Sequence, residues 1–273
     1  MPKSFFDLFS ETSDSSSDAD DAESKISKIL FIANEVKLKK KAYFRPDVLR
    51  VHYDNTSERG YSEILHELSK KIIKYSGKFE RIDQIGFVFR GGSKSISLCN
   101  QSTALFTTNT VRVDNADVPI NLVTKLAAQK ELEYFLNSIH TILNVINKDN
   151  RHIDLDLISC KIVDRANDSK VLETIGDNTR FNIRTSTVDI GDVDGKKVWK
   201  LDYFADSHHS HKDHDSDSSS DSSSDSDSDS DHEDRHHHCR RHRHDKRRKH
   251  IHLIDMYFTK QIRHYDAVLA PVI

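Results

Sequence analysis

The stretch Ile85-Gly86-Phe87-Val88-Phe89-Arg90-Gly91-Gly92 decides the fold, read together with Leu155-Asp156-Leu157-Ile158-Ser159-Cys160. Each is a short, nearly continuous apolar run closed by turn or polar residues, the pattern of a buried strand in a parallel sheet. Each delivers a distinctive group at its carboxyl end: an arginine before two glycines in the first, a cysteine in the second. In open α/β sheets, ligands and catalytic groups gather just beyond the carboxyl ends of the strands. Arg90, Gly91, Gly92, Ser159 and Cys160 are therefore the candidate site.

Outward from these two runs, apolar strands are expected at 29–32, 48–53, 153–158 and 181–184, with a turn at Asp194-Gly195 leading into 198–201. Tyr61, Ile64, Leu65, Leu68, Ile72 and Tyr75 recur at helical spacing, behind a candidate cap at 54–57 and ahead of Gly77. Asn121 caps a longer helix that carries Leu132, Phe135, Leu136, Ile139, Leu143 and Ile146 on one side. A short helix is expected over 167–175, closed by Gly176, a hairpin over 95–106, and a last helix over 251–269. Strands alternating with helices define an α/β fold: three layers around a mostly parallel sheet of about five or six strands.

Two segments cannot join that core. Residues 1–25 carry seven acids and two bases, and their middle is almost wholly Ser, Asp, Glu, Thr and Ala. Residues 206–250 contain no Val, Ile, Leu or Phe, and 215–231 are only Asp and Ser. Such segments bury too little apolar surface to offset the entropy of ordering, so a disordered tail and a disordered low-complexity insert are expected. The organisation predicted is a tail (1–25), an α/β domain (26–205), the insert (206–250) and a C-terminal helix (251–273) packing back on the domain. The net charge of −3 hides acidic tail and insert around a folded part of about +5. That density is below what nucleic-acid binding needs.

The three cysteines, Cys99, Cys160 and Cys239, show no disulfide-framework spacing and read as reduced thiols in an intracellular protein. No signal peptide is expected from the amino-terminal residues, which lack a long apolar core, and no apolar run has the length of a membrane span.

The order of features resembles the family called domain of unknown function 4347, which is related in fold to the caspase–gingipain–legumain cysteine peptidases. The residues that carry the resemblance are Leu30-Phe31-Ile32, Tyr53-Asp54, Ile85 to Phe89 with Arg90-Gly91, Leu157-Ile158-Ser159-Cys160, Ser186-Thr187, Gly191 and Trp199-Lys200-Leu201-Asp202. The resemblance covers residues 28 to 202. The resemblance implies a caspase-like sheet with Cys160 in the position of the nucleophile. It also implies a histidine at the end of the preceding strand, and here that position holds Arg90.

This replacement sets the functional expectation. A cysteine peptidase needs a base to move the thiol proton, and a guanidinium stays protonated. Arg90 could instead favour a Cys160 thiolate, since a nearby cation lowers a thiol pKa. Without the shuttle, the loss is about 10²–10⁴-fold in rate. His52, His66, His140 and His152 have no sequence reason to approach Cys160. The leading expectation is a catalytically inactive caspase-like scaffold or binding module, with Arg90, Gly91, Gly92 and Ser159 forming a pocket for a protein or peptide partner. The alternatives are a divergent cysteine peptidase using Cys160, or an interaction protein that responds to metal or phosphorylation through its insert. No cofactor is expected. His236, His237, His238 and Cys239 offer imidazole and thiolate ligands, so divalent metal ions could bind there, loosely and without selectivity.

Overall fold

A computed structural model describes residues 24–91, 94–113, 116–163, 170–205 and 251–269. Residues 1–23 of the tail, the insert, Gly92 and the His236–Cys239 cluster lie outside these residues.

The core is one six-stranded sheet. Its strands are β1 (Ile26–Ala33), β2 (Val48–Tyr53), β3 (Phe79–Val88), β8 (Ile153–Ile158), β9 (Phe181–Thr185) and β13 (Tyr203–Phe204). The small strands between them are β4 (Ser95–Ile96), β5 (Leu105–Phe106), β6 (Thr110–Val113), β7 (Ala116–Pro119), β10 (Gly191–Val193), β11 (Lys196–Val198) and β12 (Lys200–Leu201), followed by β14 (Ile251–His252). Three long helices, α1 (Tyr61–Lys74), α2 (Leu122–Asn147) and α3 (Lys170–Thr179), link the main strands. The sheet order is β2-β1-β3-β8-β9-β13. All neighbours run parallel except β13, which closes the far edge antiparallel to β9. This six-stranded, mostly parallel sheet flanked by helices is consistent with the expected three-layer caspase-like arrangement.

Handedness explains which face each connection covers. Crossovers between parallel strands are right-handed, and the chain steps one way from β1 to β2, then the other way to β3, β8 and β9. So α1, α2 and α3 share one face. There Tyr61 of α1 stacks on Phe135 of α2 at 4.3 Å, and Phe135 meets Phe87 of β3 edge-on at 6.0 Å. The β1–β2 connection lies on the other face with only a short 3₁₀ turn, Lys41–Tyr43. Such a turn cannot cover a sheet.

The C-terminal segment covers it instead. The single helix expected over 251–269 is not formed. The segment consists of β14, a four-residue helix (Leu253–Met256), a 3₁₀ turn (Lys260–His264) and isolated bridges that pair Phe44 with Phe258 and Gly191 with Val268. Two features break the helix. Tyr257 and Phe258 are both fully buried but face different partners, and the Thr259 hydroxyl bonds the Ala42 carbonyl and accepts from the Gln261 N–H. We call this segment the strap.

Local details also correct the reading of the sequence. Asp54 does not cap α1. Its carboxylate accepts from the Thr56 N–H and hydroxyl in a local turn, and the helix starts at Tyr61 behind Gly60. Gly176 lies inside α3 rather than closing it, and its lack of a side chain serves packing, since a Cβ there would sit 2.8 Å from the Phe181 carbonyl oxygen. The helix closes at Arg180, which takes a left-handed φ of 60°. Asn121 does cap α2, accepting from the Val123 N–H at 2.9 Å.

Candidate functional site

The order β2-β1-β3 makes the β1/β3 boundary the point where the connections change direction, the usual position of a ligand crevice in such sheets. Arg90 stands at this boundary, just past β3, and its backbone N–H donates to Glu35 Oε1 at 2.9 Å. Glu35 follows β1, so this bond ties the ends of the two strands together. The register of β3 on β8 aligns Val88 with Ile158. Arg90 and Cys160 therefore leave neighbouring strands at equivalent positions.

Cys160 is 1% exposed. Its sulfur accepts from the Ile190 N–H at 3.2 Å and lies 3.7 Å from the Ile190 carbonyl oxygen. Burial pushes the thiol up to about 12, the Ile190 N–H opposes this, and Asp189 adds to it. Lys161 is the cation acting on the sulfur, and it is bound to Asp189 at 2.8 Å. The thiolate support expected from Arg90 is not what the geometry provides. Arg90 instead acts on Tyr265 of the strap, whose phenol burial raises and Arg90 lowers. Cys99 is likewise buried, its thiol pushed up to about 12, chiefly by burial.

Gly91 and Ser159 are brought together. A Cβ on Gly91 would lie 2.6 Å from Ser159 Oγ and 2.9 Å from the Phe89 ring, so only glycine fits there. Ser159 is fully buried, and its hydroxyl has no partner among the described residues. The same is true of Arg90 Nε and of the Tyr53 hydroxyl at the end of β2. Unpaired buried polar atoms are rare in folded proteins and call for an explanation. Here three of them sit at the carboxyl ends of β2, β3 and β8.

The histidines stand elsewhere. His140 belongs to α2, packs edge-on against Phe181 and shares hydrogen bonds with Asn144 and the Arg151 carbonyl. His152 precedes β8, at the opposite end of that strand from Cys160. Among the described residues no cluster of metal-ligating side chains occurs, and no helix is long and apolar enough to cross a membrane.

A second polar centre lies mid-sheet, and the apolar reading of 155–158 overlooked it. Asp156 is fully buried. Arg184 of β9 grips it with Nε on Oδ1 at 2.5 Å and Nη2 on Oδ2 at 2.9 Å, while Nη1 reaches Asp154 at 2.5 Å. Gln84 Nε2 and the Tyr257 hydroxyl donate to Oδ2 at 2.7 and 2.8 Å. Burial works against the Arg184 charge, but Asp156 and Asp154 outweigh it and raise the pKa. Gly86 makes the contact sterically possible, since a Cβ there would lie 2.9 Å from Leu30 Cδ1 and from Tyr257 Cζ. The legible signal was an aspartate inside a doubly covered strand, which requires a partner.

The fold and the site together define an α/β protein whose sheet ends in a buried cysteine and a set of polar atoms without partners among the described residues. Comparison with protein-family models, with curated proteins and with solved structures finds no match to the chain.

Proposed function

We propose that the chain is a non-catalytic binding module on a caspase-like scaffold, with its ligand site at the carboxyl edge around Arg90, Gly91 and Ser159. The observation that carries this reading is the pair of unpartnered buried atoms, Arg90 Nε and Ser159 Oγ, on neighbouring strand ends. A carboxylate satisfies both: the guanidinium edge gives it a charged donor, and the serine a neutral one. An acidic peptide side chain is the ligand class that fits. The buried Cys160, which accepts from the Ile190 N–H and whose thiol burial pushes up to about 12, supports binding over cleavage.

The resemblance to domain of unknown function 4347 agrees with this reading, because the residue that would move the proton is replaced by Arg90. The test is thermal shift with N-acetylated dipeptides containing Asp or Glu. The expected result is a rise in Tm with the acidic peptides that their Asn and Gln counterparts do not give, and its loss in Arg90→Ala. Equal shifts with the acidic peptides and their amides, or an unchanged shift in Arg90→Ala, would overturn the site.

A further inference from the structure

The β1–β2 connection covers little of the sheet, yet it carries Lys37, Lys39, Lys40, Lys41 and Arg45, all exposed. The strap adds two more cations beside them. Lys260 and Arg263 are exposed on its 3₁₀ turn, and that turn is fastened to the connection. The Thr259 N–H donates to the Tyr43 carbonyl at 2.8 Å, and the Tyr43 and Tyr265 rings meet edge-on at 6.5 Å. Arg45 shares Asp47 with Lys28. Lys37, Lys39, Lys40, Lys260 and Arg263 have no ion pair among the described residues. Two chain segments thus converge to build a predominantly cationic patch, with Asp47 on Arg45 and Asp266 near Lys40 as the acids beside it, and its excess of positive charge favours a polyanion.

We propose that this patch is a docking surface for an acidic peptide, and that its occupant is the chain's own segment 11–23. Charge and tethering both argue for that occupant. Residues 11–23 hold six acids and no base. They join the fold at Ser24, beside the end of the cationic connection, where the Ser27 N–H donates to the Asp47 carbonyl at 3.1 Å and the Ser27 hydroxyl to Asp47 Oδ2 at 3.1 Å. Thirteen residues reach up to about 43 Å when extended. The height of the eight-residue strand β1 is only about 26 Å. Tethering so close holds the segment at an effective concentration in the millimolar range.

The insert is the weaker competitor. Its ten acids between 213 and 234 are followed by eight bases between 235 and 249, so its charges have partners within the same segment. It also leaves the fold after Ala205, following β13 at the sheet edge opposite β2.

Zero-length carbodiimide cross-linking of the full chain, read by mass spectrometry on the monomer band, tests the docking. The expected cross-links join Asp and Glu of 11–23 to Lys37, Lys39, Lys40 and Lys260, and fade at 1 M salt, where the Debye length falls to about 3 Å. Cross-links spread evenly to Lys70, Lys74 and Lys130 on the helical face, or arising mainly from acids of 213–234, would overturn it. Heparin chromatography gives a second measure. Removing residues 1–23 should raise the eluting salt concentration, and in a Lys39→Gln, Lys40→Gln, Lys260→Gln background the rise should be less than half as large. These exposed substitutions leave the core untouched. An equal rise in both backgrounds contradicts the proposal.

Discussion

Arg184 and Asp156 lie opposite each other on neighbouring parallel strands and are joined by two hydrogen bonds, at 2.5 and 2.9 Å, in the interior of the protein. A buried ion pair is weak evidence for net stability, but removing one partner strands the other charge at a cost of about 3–5 kcal/mol. Arg184→Met and Asp156→Asn should each lower unfolding free energy by about that amount in urea titrations. The double variant should lose clearly less than the two losses added together. Strict additivity would show that the pair is not coupled.

The strap is fixed to this pair by one hydroxyl. Tyr257→Phe removes the donor to Asp156 and keeps the ring, so a loss of about 1.5–3 kcal/mol is expected, the range for a hydrogen bond to a charged group. Gly86→Ala acts on the same contact by crowding the Tyr257 ring, at a cost of about 1–3 kcal/mol. Hydrogen exchange should localise both effects: faster exchange in 251–269, little change in α2. Uniform acceleration across the sheet would mean that the strap is not a separable layer.

Cutting the chain after Ala205 removes the strap altogether and exposes the sheet around Gly86 and Asp156. Leu253, Tyr257, Phe258, Ile262 and Leu269 are fully buried, and each such side chain contributes about 1.5–3 kcal/mol. The truncated protein should fail to unfold cooperatively. Replacing 206–250 with a short Gly/Ser bridge should leave Tm within a few degrees, because Ile251 is already paired with Leu201. A harmless truncation would overturn the covering role of the strap.

Alkaline pH should destabilise the fold. Burial holds the Cys99 and Cys160 thiols up at about 12, whereas an unfolded cysteine ionises near about 8.5. Above that lower value the unfolded chain releases protons that the folded chain retains. Stability is therefore complete below about pH 8 and falls as pH rises toward 12. Cys99→Ser and Cys160→Ser together should flatten this slope. A slope unchanged in the double variant would assign it to the buried phenols of Tyr53, Tyr61 and Tyr257, which burial also raises.

The strands were legible because short, nearly continuous apolar runs survive as a pattern whatever they pack against. The ends of β3 and β8 were found in this way, and so was the turn at Asp194-Gly195, where both residues take a positive φ. What escaped was set by partners remote in the chain. Leu253, Met256, Tyr257, Ile262 and Leu269 can be fitted to a helical face, but Tyr257 goes to Asp156 and Phe258 to Phe44 and Trp199. The hairpin of β6 and β7, with Ala116–Pro119 exposed, carried no apolar signal beyond two or three residues. The position of Cys160 was readable, but its reactivity was not. Burial and the Ile190 backbone decide that, and both come from a loop thirty residues later.

The proposed function turns on a Cys160 that does no chemistry. Its most direct test is iodoacetamide labelling of the folded protein at pH 8, resolved by peptide mass spectrometry, with the guanidinium-unfolded protein as the reference. A pooled fluorogenic peptide assay is run on the same sample. The account predicts that Cys160 labels at least a hundredfold more slowly than in the unfolded chain and that no peptide is turned over. Rapid labelling of Cys160, with turnover that disappears in Cys160→Ala, would contradict it and make the protein a cysteine peptidase.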